Sequence, residues 1–215
     1  EIFEIFKKNR IIILFLLEYK IIHFDGKIVR LILQKVASKD NRYSSYFFPE
    51  IKKFLKEATI TRIQNELLEI DPNIFNNFEE NRRKGENQTY LCHLLQNDMV
   101  DEFIIYFNKK NMSSSNIISN SIFETNSFLI KKAPMLIEYA AFYGSFQIVR
   151  FLKMSGSDLP PSLWLYAIHG KNAEMIHFLE ENEVVPKDET YERCLKEAIK
   201  CHHNDFVEYI RNSLL

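Results

Sequence analysis

The sequence predicts an all-α protein made of stacked helical hairpins, an α-solenoid. Three stretches of its last third, residues 136–152, 163–179 and 194–210, can be aligned on one another. Each carries an alanine followed eight, nine and twelve residues later by apolar residues, which is the spacing of two short helices in succession. Glycine and proline are scarce, with 5 and 6 copies, whereas sheet proteins with many tight turns need more of both. A repeated unit of this size is typical of a solenoid. The three alanines are Ala140, Ala167 and Ala198.

The N-terminal third, residues 1–77, is predicted to form helical hairpins. Apolar residues predict two helices near the start of the chain, and Asp25 is placed to cap a third. A polar stretch over 37–45 interrupts this pattern. Pro49 then occupies a first-turn position, and Asp71, which precedes a proline, ends a later helix.

Residues 78–215 are predicted to form the repeat array. A mixed-charge segment over 79–86 predicts a solvated loop or helix end. Residues 91–107 look like an earlier copy of the repeat, in which Leu95 takes the alanine's place. The step from this copy to the next is 45 residues, against 27 and 31 for the following two. The excess predicts an insertion on one face, near 108–132.

Each unit is predicted to pack through the small residue of its first helix, because an alanine lets the neighbouring helix approach closely. Gly144 suits the bend between the two helices, since glycine accepts a positive φ without penalty. In the last copy, Asn204 and Asp205 are placed to cap the second helix. Trp164 is predicted to pack in the core.

Residues 136–149, with paired alanines, a glycine and then Ile-Val, resemble the ankyrin repeat. Leu152 and Gly156 fall where that pattern expects a leucine and the glycine of the following loop; the Thr-Pro-Leu-His opening is absent. The stretches 121–128 and 163–170 are similar to the large ankyrin-repeat families of trichomonad-type protists, in which a helical domain of unknown function precedes or overlaps degenerate ankyrin repeats. The resemblance implies an ankyrin-like fold toward the C-terminus, an intracellular location, protein partners and no catalytic residues.

The sequence contains no recognisable catalytic or metal-binding motif. It lacks a glycine-rich phosphate loop, a zinc-protease motif and a nucleophile elbow. Cys201, His202 and His203 are adjacent, but neighbouring helical residues point about 100° apart and do not converge on one ion. Cys92 and Cys194 fall in the apolar pattern, where cysteine behaves as a small hydrophobe. The sequence therefore predicts a protein that is not an enzyme and binds neither cofactor nor metal.

Charge and hydropathy narrow the expected partners. A formal net charge of −1 disfavours nucleic acid, and no apolar run is long enough for a membrane span. Three widely spaced cysteines make no disulfide framework, which predicts a cytoplasmic or cytoskeletal, intracellular protein. The chain starts at Glu1 without a methionine, so an N-terminal portion is expected to precede it.

Repeat periodicity without a catalytic pattern predicts a non-enzymatic protein–protein interaction scaffold. In an ankyrin-like stack, parts of the first helices line a concave surface, where exposed aromatic residues are expected to bind a protein partner. The alternative for these side chains is that they only close the stack between neighbouring units. An alternative function is a fixed structural component of a large cytoskeletal or ciliary assembly. The predicted partner-binding residues are Tyr139, Tyr143, Tyr166 and His169.

Overall fold

The computed structural model describes residues 1–36, 42–187 and 190–215, and this part of the chain is all-helical, as predicted. It contains sixteen α-helices, one 3-10 turn (Lys52–Phe54) and one π-helical turn (Ile210–Leu214). Strands are absent from these ranges; Ile117 and Met135 form an isolated antiparallel bridge. In chain order the α-helices are α1 (Ile2–Phe6), α2 (Arg10–Glu18), α3 (Gly26–Val36), α4 (Arg42–Tyr46), α5 (Phe48–Ile51), α6 (Glu57–Ile70), α7 (Phe78–Lys84), α8 (Tyr90–Gln96), α9 (Val100–Lys109), α10 (Ser127–Lys132), α11 (Leu136–Phe142), α12 (Phe146–Met154), α13 (Leu163–Gly170), α14 (Ala173–Glu181), α15 (Glu192–Lys200) and α16 (Asn204–Tyr209).

The chain divides into two compact units. The first unit comprises Glu1–Gln88 and Asn120–Lys132, and the second comprises Thr89–Ser119 and Ala133–Leu215. This division differs from the sequence-based boundary between residues 77 and 78. The physical reason is that part of the predicted insertion, including Ile122 and Phe123, packs in the same apolar cluster as Phe48, Ile63 and Phe78.

Local sequence signals set the helix ends of the first unit. Asp25 caps α3, because its Oδ1 accepts hydrogen bonds from the N–H groups of Lys27 (3.0 Å) and Ile28 (2.8 Å). Pro49 lies in the first turn of α5, and α6 ends directly before Asp71. The sequence predicts a polar break in the helices over 37–45. Residues 37–41 of this stretch lie outside the described residues, and α4 begins directly after them.

The second unit is a series of helical hairpins, namely α8–α9, α11–α12, α13–α14 and α15–α16. The first helix α11 packs against both α8 and α13, and α13 packs against α15. Ala140, Ala167 and Ala198 occupy equivalent places in these first helices and are fully buried, as the small-residue pattern predicted. Trp164 is also buried, and its indole N–H donates to the Val184 carbonyl oxygen (2.6 Å). A continuous ankyrin-like solenoid remains a prediction.

Every hairpin turn of the second unit contains a residue with a left-handed backbone. This residue lies two positions before the first residue of the second helix. Gly144 has φ +74° and was predicted to serve this bend. The other three positions carry non-glycine residues, which the sequence did not mark. They are Asp98 (φ +50°), Lys171 (φ +49°) and His202 (φ +56°).

The first hairpin, α8–α9, is shifted by one residue relative to the sequence alignment. In the hairpins α11–α12 and α15–α16, the N–H of the residue before the second helix donates to the carbonyl of the repeat alanine. These pairs are Ser145 to Ala140 (2.9 Å) and His203 to Ala198 (3.0 Å), and the matching pair in α8–α9 is Met99 to Leu94 (3.1 Å). Leu94, rather than the predicted Leu95, is therefore the equivalent of the alanine. Both leucines are fully buried, so hydrophobicity alone did not distinguish them.

The predicted cap of the last helix is wrong. Asn204 and Asp205 lie inside α16, and the residue before that helix is His203. By contrast, Asn172 caps α14, because its Oδ1 accepts from the N–H groups of Glu174 (2.9 Å) and Met175 (3.4 Å).

Candidate functional site

Two of the predicted partner-binding residues, Tyr139 and Tyr166, are buried. They are 1% and 3% exposed, respectively. The hydroxyl of Tyr139 accepts a hydrogen bond from Gln96 Nε2 (3.0 Å), and burial raises the pKa of Tyr166. The expectation that these rings are exposed is corrected, because α11 and α13 lie between neighbouring helices that cover both of them. They close the stack, as the alternative interpretation held.

The other two, Tyr143 and His169, are partly exposed and belong to one aromatic group. Phe142 at the end of α11 stacks on the imidazole of His169 from α13, with ring centroids 4.8 Å apart. The ring of Tyr143 lies 5.1 Å from that of Phe142. We call these three residues the aromatic edge. It lies where the first helices of two successive hairpins end.

His169 also belongs to a cluster of potential metal ligands. Its Nε2 lies 3.1 Å from Glu197 Oε1 of α15, and its Nδ1 and Nε2 lie 3.5 Å and 3.8 Å from the sulfur of Cys201. One ligand atom from each residue can be chosen so that all three lie within 4.8 Å of one another. Glu197 and Cys201 are four residues apart, so the end of α15 presents them on the same face. All three side chains are partly buried.

The surroundings favour the neutral forms of His169 and Cys201. Desolvation lowers the pKa of His169, although the hydrogen bond with Glu197 opposes the change. Desolvation also raises the pKa of the Cys201 thiol. A cysteine nucleophile requires the opposite, a thiolate stabilised beside an imidazolium. The cluster instead offers one nitrogen, one oxygen and one sulfur donor, which is the mixture that zinc accepts.

Sequence reasoning missed this cluster, because its members come from different hairpins. The metal-site prediction grouped Cys201 only with the two residues that follow it, and neither of these belongs to the cluster. His202 is exposed, and Nδ1 of His203 lies 2.8 Å from the Ile168 carbonyl oxygen. The signals that could have found the site were the four-residue spacing of Glu197 and Cys201 and the repeat itself, which places the ends of successive first helices side by side.

A second buried polar group lies in the first unit, around Arg82. Its guanidinium pairs with both oxygens of Glu50 (2.7 and 2.8 Å) and with Glu79 (2.6 Å), while the Tyr46 hydroxyl donates to the Arg82 carbonyl (2.9 Å). The residue is only 2% exposed, so the interpretation of this mixed-charge segment as a solvated loop or helix end does not hold at Arg82. The contacts join α4, α5 and α7, which is a structural role.

Within the described ranges, none of the helices has both the length and the apolar character needed to cross a lipid bilayer. A comparison with models of known protein families gives no match, and comparisons with curated proteins and with solved structures give none either.

Proposed function

We propose that this chain is a non-enzymatic protein-interaction scaffold built on ankyrin-like repeats. The observation that carries the proposal is the hairpin series of the second unit, in which first helices pack on one another and bury alanines at equivalent places. Such arrays provide an extended, rigid surface whose contacts with a partner are spread over several units. The ankyrin resemblance supports an intracellular setting, cytoplasmic or cytoskeletal.

The aromatic edge is the part of this surface best suited to bind a partner. Tyr143 and Phe142 combine apolar area with partial exposure, and their rings support each other at 5.1 Å. Aromatic side chains held in place lose little conformational entropy on binding, so they commonly supply a large share of the affinity. With Tyr139 and Tyr166 in the interior, Tyr143 and His169 are the remaining predicted contact residues.

Photo-crosslinking in the native cells tests this proposal. A photoreactive phenylalanine derivative replaces Tyr143 in one variant and Arg150, an exposed residue of α12, in the control. We expect a discrete protein adduct from position 143 and none from position 150. Tyr143→Ala, checked for wild-type helicity, should lose the same partner. The proposal fails if position 143 gives no adduct beyond that of position 150, or if Tyr143→Ala retains every partner.

A fixed structural role in a large assembly is a second candidate, because apolar side chains are exposed in both units. An assembly subunit is covered on several flanks and keeps such residues for its neighbours. Those more than half exposed are Ile5, Phe15, Tyr19, Ile21, Ile70, Tyr90, Ile105, Ile117, Met154 and Leu215. Fractionation distinguishes the two roles: a fixed component stays in the salt- and detergent-resistant fraction, whereas a scaffold with exchanging partners is extracted.

A further inference from the structure

We propose that His169, Glu197 and Cys201 bind a single divalent cation of the zinc class. The three side chains converge from α13 and from the end of α15, with a nitrogen, an oxygen and a sulfur donor within 4.8 Å of one another. This site goes beyond the proposed scaffold function and does not depend on it.

The spacing of the ligand atoms fits a tetrahedral ion. Donors at roughly 2.1 Å (nitrogen or oxygen) and 2.3 Å (sulfur) from zinc lie roughly 3.4 to 3.6 Å apart at tetrahedral angles. The structure has Nε2 of His169 at 3.1 Å from Glu197 Oε1 and at 3.8 Å from the Cys201 sulfur. The remaining separation, between the Glu197 oxygen and the Cys201 sulfur, is no more than 4.8 Å. Seating an ion therefore requires the Cys201 sulfur to move toward the other two donors.

Neighbouring contacts hold two of the ligands in place. Phe142 stacks on the His169 ring, and Lys200 Nζ lies 3.1 Å from Glu197 Oε2, which leaves Oε1 directed at the histidine. Such contacts orient ligands and raise metal affinity. The side chains of His169 and Glu197 are each 15% exposed, so water can occupy the fourth position. A thiolate with an imidazole selects zinc-class ions over magnesium or calcium, which prefer oxygen donors.

Binding at this site releases a proton. Cys201 must ionise to bind, so a sulfur–metal bond replaces the S–H bond and the proton goes to solvent. His169 binds through the lone pair of its neutral form and releases none.

Cobalt(II) is the probe for the first test, because a cobalt–thiolate bond gives an intense near-ultraviolet charge-transfer band. We expect the full chain to develop this band at one equivalent of Co²⁺ and to lose it when Zn²⁺ is added. Cys201→Ala should abolish the band, and Glu197→Gln should weaken binding at least about tenfold. His177→Gln is the matched control, since His177 pairs with Glu180 (3.2 Å) in an exposed histidine–glutamate pair without a cysteine. Its titration should be that of the wild type.

The second test needs no variant. Cys201 is partly exposed, whereas Cys92 and Cys194 are buried, so limited alkylation of the folded chain should modify Cys201 first. Saturating Zn²⁺ should slow alkylation of the peptide that carries Cys201 at least about tenfold. An unchanged alkylation rate overturns the proposal, as does the absence of a thiolate band or a band that persists in folded Cys201→Ala. Failure of the metal proposal would leave the crosslinking test at Tyr143, and with it the scaffold proposal, unaffected.

Discussion

Glu124 is a carboxylic acid held in the interior of the first unit. Only 3% of it is exposed, and burial raises its pKa to about 7, with the charge of Glu86 adding to the rise. Its Oε1 accepts from the N–H of Asn126 (2.8 Å), but Oε2 has no hydrogen-bond partner among the described residues. The protonated acid therefore suits this site better than the carboxylate.

We expect the protein to lose stability as the pH rises through this pKa. The folded-state pKa lies above the ordinary value of 4.5, so the contribution of Glu124 is complete below about pH 4.5 and is lost as the pH passes about 7. The free energy of unfolding should fall by up to about 3 kcal/mol over this window, and Glu124→Gln, which cannot ionise, should remove this fall. Denaturant unfolding at a series of pH values measures it. Glu69→Gln, at an exposed position of α6, should keep the wild-type slope, and an equal slope in Glu124→Gln would contradict the prediction.

Ala167 shows how closely the helices of the second unit approach. It is fully buried in α13, which has packed neighbours in α11 and α15. Ala167→Leu should lower the free energy of unfolding by about 1–3 kcal/mol, because the added methyl groups have no space. Thermal or chemical unfolding checks this. Ala173→Leu, at the exposed first position of α14, is the matched control and should change the stability little.

At the element scale, two hairpin turns of the second unit touch through their backbones. A Cβ atom on Gly170 would collide with the Ala141 carbonyl oxygen and lie 2.7 Å from the Gly144 nitrogen. The Asn172 side chain joins the same turns, because its Nδ2 donates to the Gly144 carbonyl (3.0 Å). Glycine at 170 is therefore required by the close approach of α11 and α13, since its own φ is not positive.

Gly170→Ala should force these two hairpins apart. We expect the free energy of unfolding to fall by about 1–3 kcal/mol, because backbone atoms must move to admit the methyl group. Gly26→Ala is the control, since a Cβ there meets nothing within 4 Å. That change should leave the stability unchanged or raise it by up to about 1 kcal/mol, through the lower entropy of the unfolded chain. Equal melting temperatures for the two variants would show that the turns do not need the glycine.

At the scale of the whole molecule, a segment from the middle of the sequence completes the N-terminal unit. Phe123 packs edge-on against Phe78 (5.2 Å between ring centroids), Arg10 donates to the carbonyls of Ile122 and Glu124, and the Thr125 hydroxyl donates to the Gly85 carbonyl (2.9 Å). Residues 120–132 therefore belong to the first unit, although the chain reaches them only after two helices of the second.

Phe123→Ala should destabilise the first unit, although the residue lies beyond position 88. The loss should be about 3–5 kcal/mol, as for a buried phenylalanine whose site becomes a cavity. Hydrogen exchange should show reduced amide protection within residues 1–88. Phe15→Ala, half exposed on α2, should cost less than about 1 kcal/mol. Loss of protection confined to residues 133–215 would contradict this assignment.

Local pattern determined the helices, many of their ends and the buried alanines of the repeat, because helical periodicity and capping depend on residues within a few positions of one another. Asp25 and Gly144 act where the sequence placed them. The same information could not separate Leu94 from Leu95, since two adjacent buried leucines fit either register.

Only the tertiary structure decided which side chains are covered and which converge. Tyr139 is aromatic and suited to binding by composition, yet neighbouring helices enclose it. His169 and Cys201 are 32 residues apart in the sequence. They meet because α13 and α15, the first helices of successive hairpins, end side by side. The sequence by itself determined an all-α chain with repeated hairpins. Contacts between hairpins depend on how each packs against the next, and that packing created the His169–Glu197–Cys201 cluster.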